Sequence, residues 1–478
     1  MTLAKRSLVT IDDLTNGEIE AVFSLAGEMS AAPAPHSSLC QGKIMASLFF
    51  EPSTRTRLSF EAAMHRLGGS VITVADGSST SLSKGESLAD MARVVGNYAD
   101  IIVIRHPWEG AARVFADYAG IPVINAGDGS HEHPTQTLCD LYTIQRERKT
   151  ITGLKIALWG DLKHGRTIHS LTYALARFGA TIHFRSGPGL ELPEHVKRKL
   201  STEYVGRLER YDNVNGTIVG SSFPLDAIYL TPSQPHQLAN IPSVSIQIEL
   251  KGGIDALYIT RLQKERLPAT TGGQGQKDYP VVDKKLLKEK EFAKTLVMHP
   301  LPRVDELARE LDADERSMYF KQAALGIPIR MALMTLLLGT KEITIQEEGD
   351  VFTRKIDHPM YRRDSGLKCE NPVCVSRQET EMKYIKPEFK IVGDQPLTLR
   401  CIYCEHETQP GYIASTDWHE GRLDSKKYHR ADSHLTRKIK PENLIIFDSE
   451  SEAQARGFKP GYYSMTHQPE KGATGEKA

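Results

Sequence analysis

"GKIMASLFFEPSTRTRLSFEAAMHRLGGSVITVA" (residues 42–75) changes pattern three times within one short stretch. The segment from Lys43 to Phe50 is apolar enough for a buried strand. Phe60, Ala63, Met64 and Leu67 then recur at i, i+3, i+4 and i+7, the spacing of one helical face. Gly68-Gly69 supplies a stop, and Ser70–Ala75 resumes as a strand. Strand, helix, strand is a βαβ unit, which implies a parallel sheet with helical crossovers.

Working outward, the same grammar returns in "ADIIVIRHP" (99–107), a strand ending at Arg105, and in "IPVINAGDG" (121–129), which ends in a Gly-rich turn. It starts again in "LKIALWGDLKHGRTIHSLTYALARFGATIHFRS" (154–186), and "DALYITRLQKER" (255–266) and "KTLVMHPLPR" (294–303) read as further strands. The expected fold class is α/β: two parallel-sheet α/β domains followed by a small β-rich domain. The spans expected are 1–148 and 149–304, helices from about 305 to 340 returning to the first, a linker at 341–368, a cysteine-bearing module at 369–450 and a disordered tail at 451–478. In such sheets ligands gather at the carboxyl ends of strands, where every unusual polar cluster of this chain falls.

Composition narrows the class further. The 60 basic residues balance the 60 acidic ones over 478 residues, so net charge argues for neither nucleic acid nor membrane as a partner. The start "MTLAKRSLVTIDDL" has no continuous apolar core of a secretory signal. The apolar run "MALMTLLLG" (331–339) is about half as long as a bilayer span. Six cysteines in a chain this long do not form a disulfide framework. A soluble cytoplasmic protein is expected.

The stretch after the first strand carries the chemistry. Ser53 stands where a helix N-cap belongs, so the next backbone amides point outward with the helix dipole behind them. Thr54 and Thr56 add hydroxyl donors, and Arg55 adds a planar fork suited to phosphate. The competing reading is an ordinary capped helix with surface arginines. Five consecutive polar donors behind a buried strand favour a site for a phosphorylated small molecule.

"FFEPSTRTR", "RHPWEGAAR", "HPTQTLCDLYTI", "GDLKHGRTIHS" and "HPLPRVDEL", in that order, resemble the motif series of aspartate carbamoyltransferase catalytic chains. The resemblance runs from about residue 40 to 340 and implies a reaction between carbamoyl phosphate and L-aspartate. It implies that Ser53, Thr54, Arg55 and Thr56 hold the phosphate, that Arg105 reaches phosphate and carbonyl oxygen, and that His133 and Gln136 bind the carbamoyl group. His131 and His133 alone could also be read as half a metal site. The stretch "STSLSKGESLAD" alone reads as a flexible loop. By resemblance it carries Ser81 and Lys84 into the active site of a neighbouring subunit, which implies a homotrimer or a dimer of trimers.

The resemblance further implies that Arg166 binds the α-carboxylate of aspartate, that Arg261 and Gln263 bind its side-chain carboxylate, and that Leu301 offers a carbonyl to the attacking amine. Two planar guanidinium forks set apart suit a dicarboxylate. The first motif is shared with ornithine carbamoyltransferases, which carry cysteine where Pro300 stands here, so aspartate is the expected acceptor. The alternatives are transfer to another amine such as ornithine, or a non-catalytic relative with a zinc-ribbon interaction module. The segment between Arg166 and Arg261 is longer than the family's, and the glycine-rich "ATTGGQGQKDY" (269–279) falls where the family has a mobile loop.

"CENPVC" and "CIYC" place Cys369, Cys374, Cys401 and Cys404 as C-x4-C and C-x2-C. Each spacing lets two thiolates approach one ion, and two such turns give tetrahedral sulfur coordination. Structural Zn2+, one per chain, is the expected cofactor, with iron or unligated thiols as the other readings. The segment between the pairs suits a β-hairpin or meander. The pattern resembles the zinc domain of the aspartate carbamoyltransferase regulatory chain. The stretch from Gly339 to Cys369 is too short for the nucleotide-binding domain that precedes it in that family. Cys40 and Cys139 stand alone and read as ordinary buried residues.

Overall fold

β1 (Ile44–Phe49), α2 (Thr54–Arg66) and β2 (Ser70–Val74) form the βαβ unit, with α1 (Asn16–Ala31) preceding it. The structure is a computed structural model, and it describes residues 3–76, 85–186, 189–204, 208–210, 225–231, 253–261, 281–345, 351–354, 356–362, 367–379, 384–416 and 426–461. α1 starts on a capping box: Thr15 accepts from the Glu18 amide at 3.2 Å and the Glu18 carboxylate accepts from the Thr15 amide at 2.8 Å. Phe60, Ala63, Met64 and Leu67 are all fully buried, as their periodicity requires.

The chain continues through α3 (Leu88–Gly96), β3 (Ile101–His106), α4 (Ala111–Tyr118), β4 (Val123–Asp128) and α5 (Pro134–Arg148). The first sheet has the order β2-β1-β3-β4, parallel throughout. All six residues of β3 are buried, which explains its unbroken apolar run up to Arg105. A second parallel sheet follows, made from β5 (Lys155–Trp159), β6 (Thr181–Arg185), β7 (Leu208–Arg210), β8 (Ala227–Leu230), β9 (Ala256–Ile259) and β10 (Leu296–Met298), with α6 (Arg166–Arg177) and α7 (Glu194–Glu203) between its earlier strands. Its order is β10-β9-β8-β5-β6-β7.

α8 (Tyr319–Leu338) then returns to pack on α1, α2 and α5. Gly339, at φ 68°, closes it in the left-handed region that glycine tolerates. Among the described residues α8 is the one helix long and apolar enough to cross a membrane, yet 67% of its most apolar stretch is buried inside the fold. That burial accounts for the apolar run at 331–339 as core.

A separate compact unit comprises Trp108–Gly110 and the chain from Ile356 onward. Within it, β11 (Met360–Tyr361), β12 (Phe389–Asp394), β13 (Leu397–Cys401) and β14 (Glu407–Thr408) form an antiparallel sheet, with the short α9 (Val375–Gln378) between β11 and β12. The expected hairpin is β12–β13. A further sheet has the order β17-β15-β16-β18, from β15 (Tyr412–Ser415), β16 (Lys427–Arg430), β17 (Leu444–Phe447) and β18 (Lys459–Pro460). α10 (Glu450–Ala455) and β18 correct the expectation that the chain is disordered from 451. Ala453 and Phe458 join Tyr428 and Phe447 in a small core, anchors too sparse to stand out among polar neighbours. The expected tail from 462 onward lies outside the described residues, as does most of the extra segment between Arg166 and Arg261.

Candidate active site

In the first sheet β1 and β3 are neighbours and the chain leaves them in opposite directions, which opens a crevice at their carboxyl ends. A cavity of about 480 Å³ lies there. Ser53, Thr54, Arg55 and Thr56 line it from the start of α2, Arg105 from the end of β3, and His133 and Gln136 from the start of α5. The second sheet contributes Arg166 from the start of α6, Arg261 after β9 and Leu301 after β10. The structure thus brings together every expected active-site residue it describes. Ser81, Lys84, Gln263 and the loop at 269–279 lie outside the described residues.

Ser53 is the N-cap of α2, but its side chain makes no capping bond. The first amide of the helix to bond back along the chain is that of Arg57, which donates to the Ser53 carbonyl at 3.1 Å. The amides before it belong to the turn whose N–H groups have no partner within the helix, and they gather at the cavity with the positive end of the helix dipole.

Concentrating cations here requires a counter-charge, and Glu51 supplies it. Its two carboxylate oxygens pair with Arg105 at 3.2 Å and with Arg166 at 3.1 Å. Burial would raise the Glu51 carboxyl, but the Arg166 and Arg105 guanidiniums outweigh burial and hold it below the usual range. Arg166 also donates to the Gly129 carbonyl at 2.8 Å. Gly127, at φ 114°, is where the backbone passes these forks: an added Cβ would lie 3.5 Å from both guanidiniums. Burial, then the like charge of Arg261, lowers the Arg55 pKa. The cavity is therefore positive on both walls, with one carboxylate aligning two of the forks.

His133 is buried, and burial followed by the charges of Arg105, Arg166 and Arg330 pushes its pKa well below the ordinary imidazole value. It is neutral at physiological pH. The Thr135 hydroxyl lies 3.4 Å from Nδ1, and with that hydroxyl donating, the ring carries its proton on Nε2. The His133 amide donates to Ser170 Oγ at 3.1 Å, and that hydroxyl donates to Glu132 at 3.2 Å, so the start of α5 is tied to α6.

The loop after β10 is held with similar economy. The Leu301 amide donates to His299 Nδ1 at 2.8 Å, so Nε2 bears the proton and donates to Glu306 at 2.8 Å. Glu306 also accepts from the Val304 and Asp305 amides, each at 3.1 Å. Leu301 is thereby kept at φ 55°, an unfavourable conformation for a branched residue. Its carbonyl accepts from Arg55 at 2.7 Å. That bond uses one of two lone pairs, and the carbonyl keeps a second acceptor position.

Sequence reasoning missed Glu51, which looked like the end of an apolar run, and the α8 residues Gln322 and Arg330, which line the cavity from far along the chain. A hint existed for Glu51: a lone carboxylate beside a dense group of arginines needs a purpose.

In the second unit Cys369, Cys374, Cys401 and Cys404 are all buried, and their sulfurs lie within 4.8 Å of one another. Cys369 and Cys404 are 3.5 Å apart and Cys374 and Cys401 are 3.8 Å apart. Four sulfurs at ~2.3 Å around one ion would be separated by about 3.8 Å, so the donor set fits a tetrahedral metal. Ser376 Oγ lies 3.2 Å from Cys374 Sγ and can donate to that thiolate.

A cationic crevice shared by two parallel α/β halves defines a transferase site for a phosphorylated donor and an anionic acceptor. Residues 6–146 match the family model for the aspartate/ornithine carbamoyltransferase carbamoyl-P binding domain, and residues 240–337 match that for the Asp/Orn binding domain. The aspartate carbamoyltransferase catalytic subunit of Thermococcus gammatolerans is 46% identical over 337 residues, covering 70% of this chain and 98% of the relative. That of Methanopyrus kandleri is 42% identical over 340 residues, covering 71% and 99%. Among solved structures, the M. jannaschii catalytic subunit aligns with a TM-score of 0.55 at 42% identity, covering 70% of this chain and 98% of that one. The Trypanosoma cruzi enzyme in complex with carbamoyl phosphate and aspartate aligns with a TM-score of 0.56 at 34% identity, with the same coverage. The chain belongs to the aspartate carbamoyltransferase family. Residues 364–413 match the metal binding domain of the aspartate carbamoyltransferase regulatory chain, so catalytic-type and regulatory-type sequence share one polypeptide.

Proposed function

We propose that the protein transfers the carbamoyl group of carbamoyl phosphate to the amino group of L-aspartate, giving N-carbamoyl-L-aspartate and phosphate for pyrimidine synthesis in the cytoplasm. The observation that carries this reading is the single cavity lined by Arg55, Arg105, His133, Arg166 and Arg261. On this reading residues 1–148, with the return from about 305 to 340, form the carbamoyl phosphate half, and 149–304 form the aspartate half. The start of α2, with Ser53, Thr54, Arg55 and Thr56, receives the phosphate. Gln136 and His133 take the carbamoyl amide and carbonyl. Arg166, Arg261 and Gln263 take the two carboxylates of aspartate.

The reaction needs no protein nucleophile. The neutral amine attacks the carbamoyl carbon as the C–O bond to phosphate breaks, and the departing phosphate takes the amine proton. Thr56, Arg105 and the Nε2 proton of His133 stabilise charge on the carbonyl oxygen, while the remaining groups hold the reactants in line. The Leu301 carbonyl orients the amine. Ser81 and Lys84 reach the site from a neighbouring subunit of a homotrimer, or of a dimer of trimers. The four cysteines hold one structural Zn2+, and residues 369–450 serve assembly. The buried all-thiolate tetrahedral spacing supports a metal here, and metal analysis of the purified protein separates zinc from iron.

Steady-state phosphate release tests the reading. Release should require aspartate, and Arg261→Ala should raise the aspartate KM by about tenfold or more while leaving the carbamoyl phosphate KM near its original value. An unchanged aspartate KM would remove Arg261 from the acceptor site.

A further inference from the structure

Behind the cavity wall lies a buried acid that the reaction itself does not use. Asp140 is fully buried in α5, and one of its oxygens collects three donors. Gln136 Nε2, one helical turn earlier, donates to Oδ1 at 2.9 Å. Gln322 Nε2, from α8, donates to the same atom at 2.8 Å. The Tyr258 hydroxyl, from β9, lies 3.2 Å from Oδ1 and 3.3 Å from Oδ2.

Each donor leads to a different part of the cavity. Gln136 lines the cavity, and giving its amide nitrogen to Asp140 turns its carbonyl oxygen the other way. A carboxylate oxygen can only accept, so this orientation is fixed by chemistry. Gln322 uses its own carbonyl to accept from the His299 amide at 3.1 Å, at the base of the loop that ends in Leu301. Tyr258 stacks on Tyr229 with ring centroids 4.2 Å apart, and the Tyr229 hydroxyl lies 3.2 Å from Thr167, the residue after Arg166.

We infer that Asp140 is a positioning residue that locks the carbamoyl-reading amide of Gln136 to the acceptor-binding loop and helix through three hydrogen bonds, two of them fully buried. An isolated carboxylate this deep would not persist, because burying a charge without partners is strongly unfavourable. Its three donors hold it, and burial raises its pKa to about 7. A proton on Oδ2 leaves the Oδ1 contacts with Gln136 and Gln322 in place. The wall therefore depends on an oxygen acceptor at Oδ1 more than on full negative charge.

The inference rests on the carbamoyl-transfer reading, so wild-type turnover of carbamoyl phosphate with aspartate is measured first; no turnover would overturn both. In Asp140→Ala the amide of Gln136 and the side chain of Gln322 lose their anchor. The KM values for carbamoyl phosphate and for aspartate should both rise by about tenfold, the effect of losing a buried acceptor. Asp140→Asn keeps an oxygen at Oδ1 and should restore both to within about threefold of wild type. A purely structural role would lower the amount of active enzyme while leaving both KM values alone, and that outcome in an active wild-type background refutes this inference only. Should Asp140→Ala not fold, Gln322→Met keeps the packing and cuts one arm. It should raise the aspartate KM about fivefold with the carbamoyl phosphate KM unchanged, and no change in either would overturn the proposal.

Discussion

The anion cavity and the cysteine cluster gather charge by different routes. In the cavity, Arg55 meets the carbonyl of Leu301 across 246 residues of sequence, and the guanidiniums of Arg105 and Arg166 share the carboxylate of Glu51. In the cluster, two short segments bring four thiols within 4.8 Å, with the second pair starting at Cys401, the last residue of β13. The cavity thus depends on two folded sheets and a returning helix, whereas the cluster depends on local geometry and an ion. The first should tolerate loss of one group with its fold intact and its chemistry impaired. The second should lose its fold when one ligand goes.

Cys401→Ser breaks the comparison most sharply. A structural zinc site contributes on the order of 10 kcal/mol to the folding of a small domain. Metal content should fall from one ion per chain to none, and the thermal transition of the C-terminal unit should disappear. Retention of one ion per chain would show that the Cys401 thiol is not required to hold it.

Arg105→Ala probes the other side. Loss of a preorganised charge donor at the carbonyl oxygen should lower turnover by at least about a hundredfold, with the thermal midpoint barely moved. A variant of near-normal activity would reject the role given to the end of β3.

Glu51→Gln should have a smaller effect, because it leaves both guanidiniums in place and removes only the charge that aligns them. A loss of about tenfold in kcat/KM is expected. The same variant has a pH signature. The folded-state pKa of Glu51 lies below its ordinary 4.5, so its contribution to stability is complete above that pH. The contribution is lost as pH falls through the folded value, when the carboxylate is protonated. Acid titration of unfolding should therefore be steeper in the wild type than in Glu51→Gln below pH 4.5, and identical slopes would contradict the ion-pair assignment.

Much of this was legible in the sequence because the relevant physics is periodic or local. Phe60, Ala63, Met64 and Leu67 declare a helical face, and all are buried. The paired cysteines declare their own geometry. Arg105 could be singled out because it closes an apolar run, and Arg55 because it sits among consecutive polar donors, whereas Arg166 and Arg261 were reached only through the family's motifs. Gln322 and Arg330 gave no such signal, since they sit in an apolar helix whose position over the cavity is a tertiary fact. Asp140 likewise reads as one more polar residue of α5 until its three donors converge from α5, α8 and β9. The sheet of β15 to β18 was missed in part because its anchors, Ala453 and Phe458, are isolated among charged residues, and only pairing and packing reveal them.

The central claim is that one cavity joins carbamoyl phosphate to aspartate. The most direct measurement is a competition: carbon-13-labelled carbamoyl phosphate with equal concentrations of aspartate and ornithine, products resolved by mass spectrometry. The account predicts labelled N-carbamoyl-aspartate, with citrulline lower by at least about a hundredfold, since a site built to receive a second carboxylate sets its guanidiniums against the ammonium of ornithine. Comparable citrulline, or label released only as hydrolysis products, would contradict it.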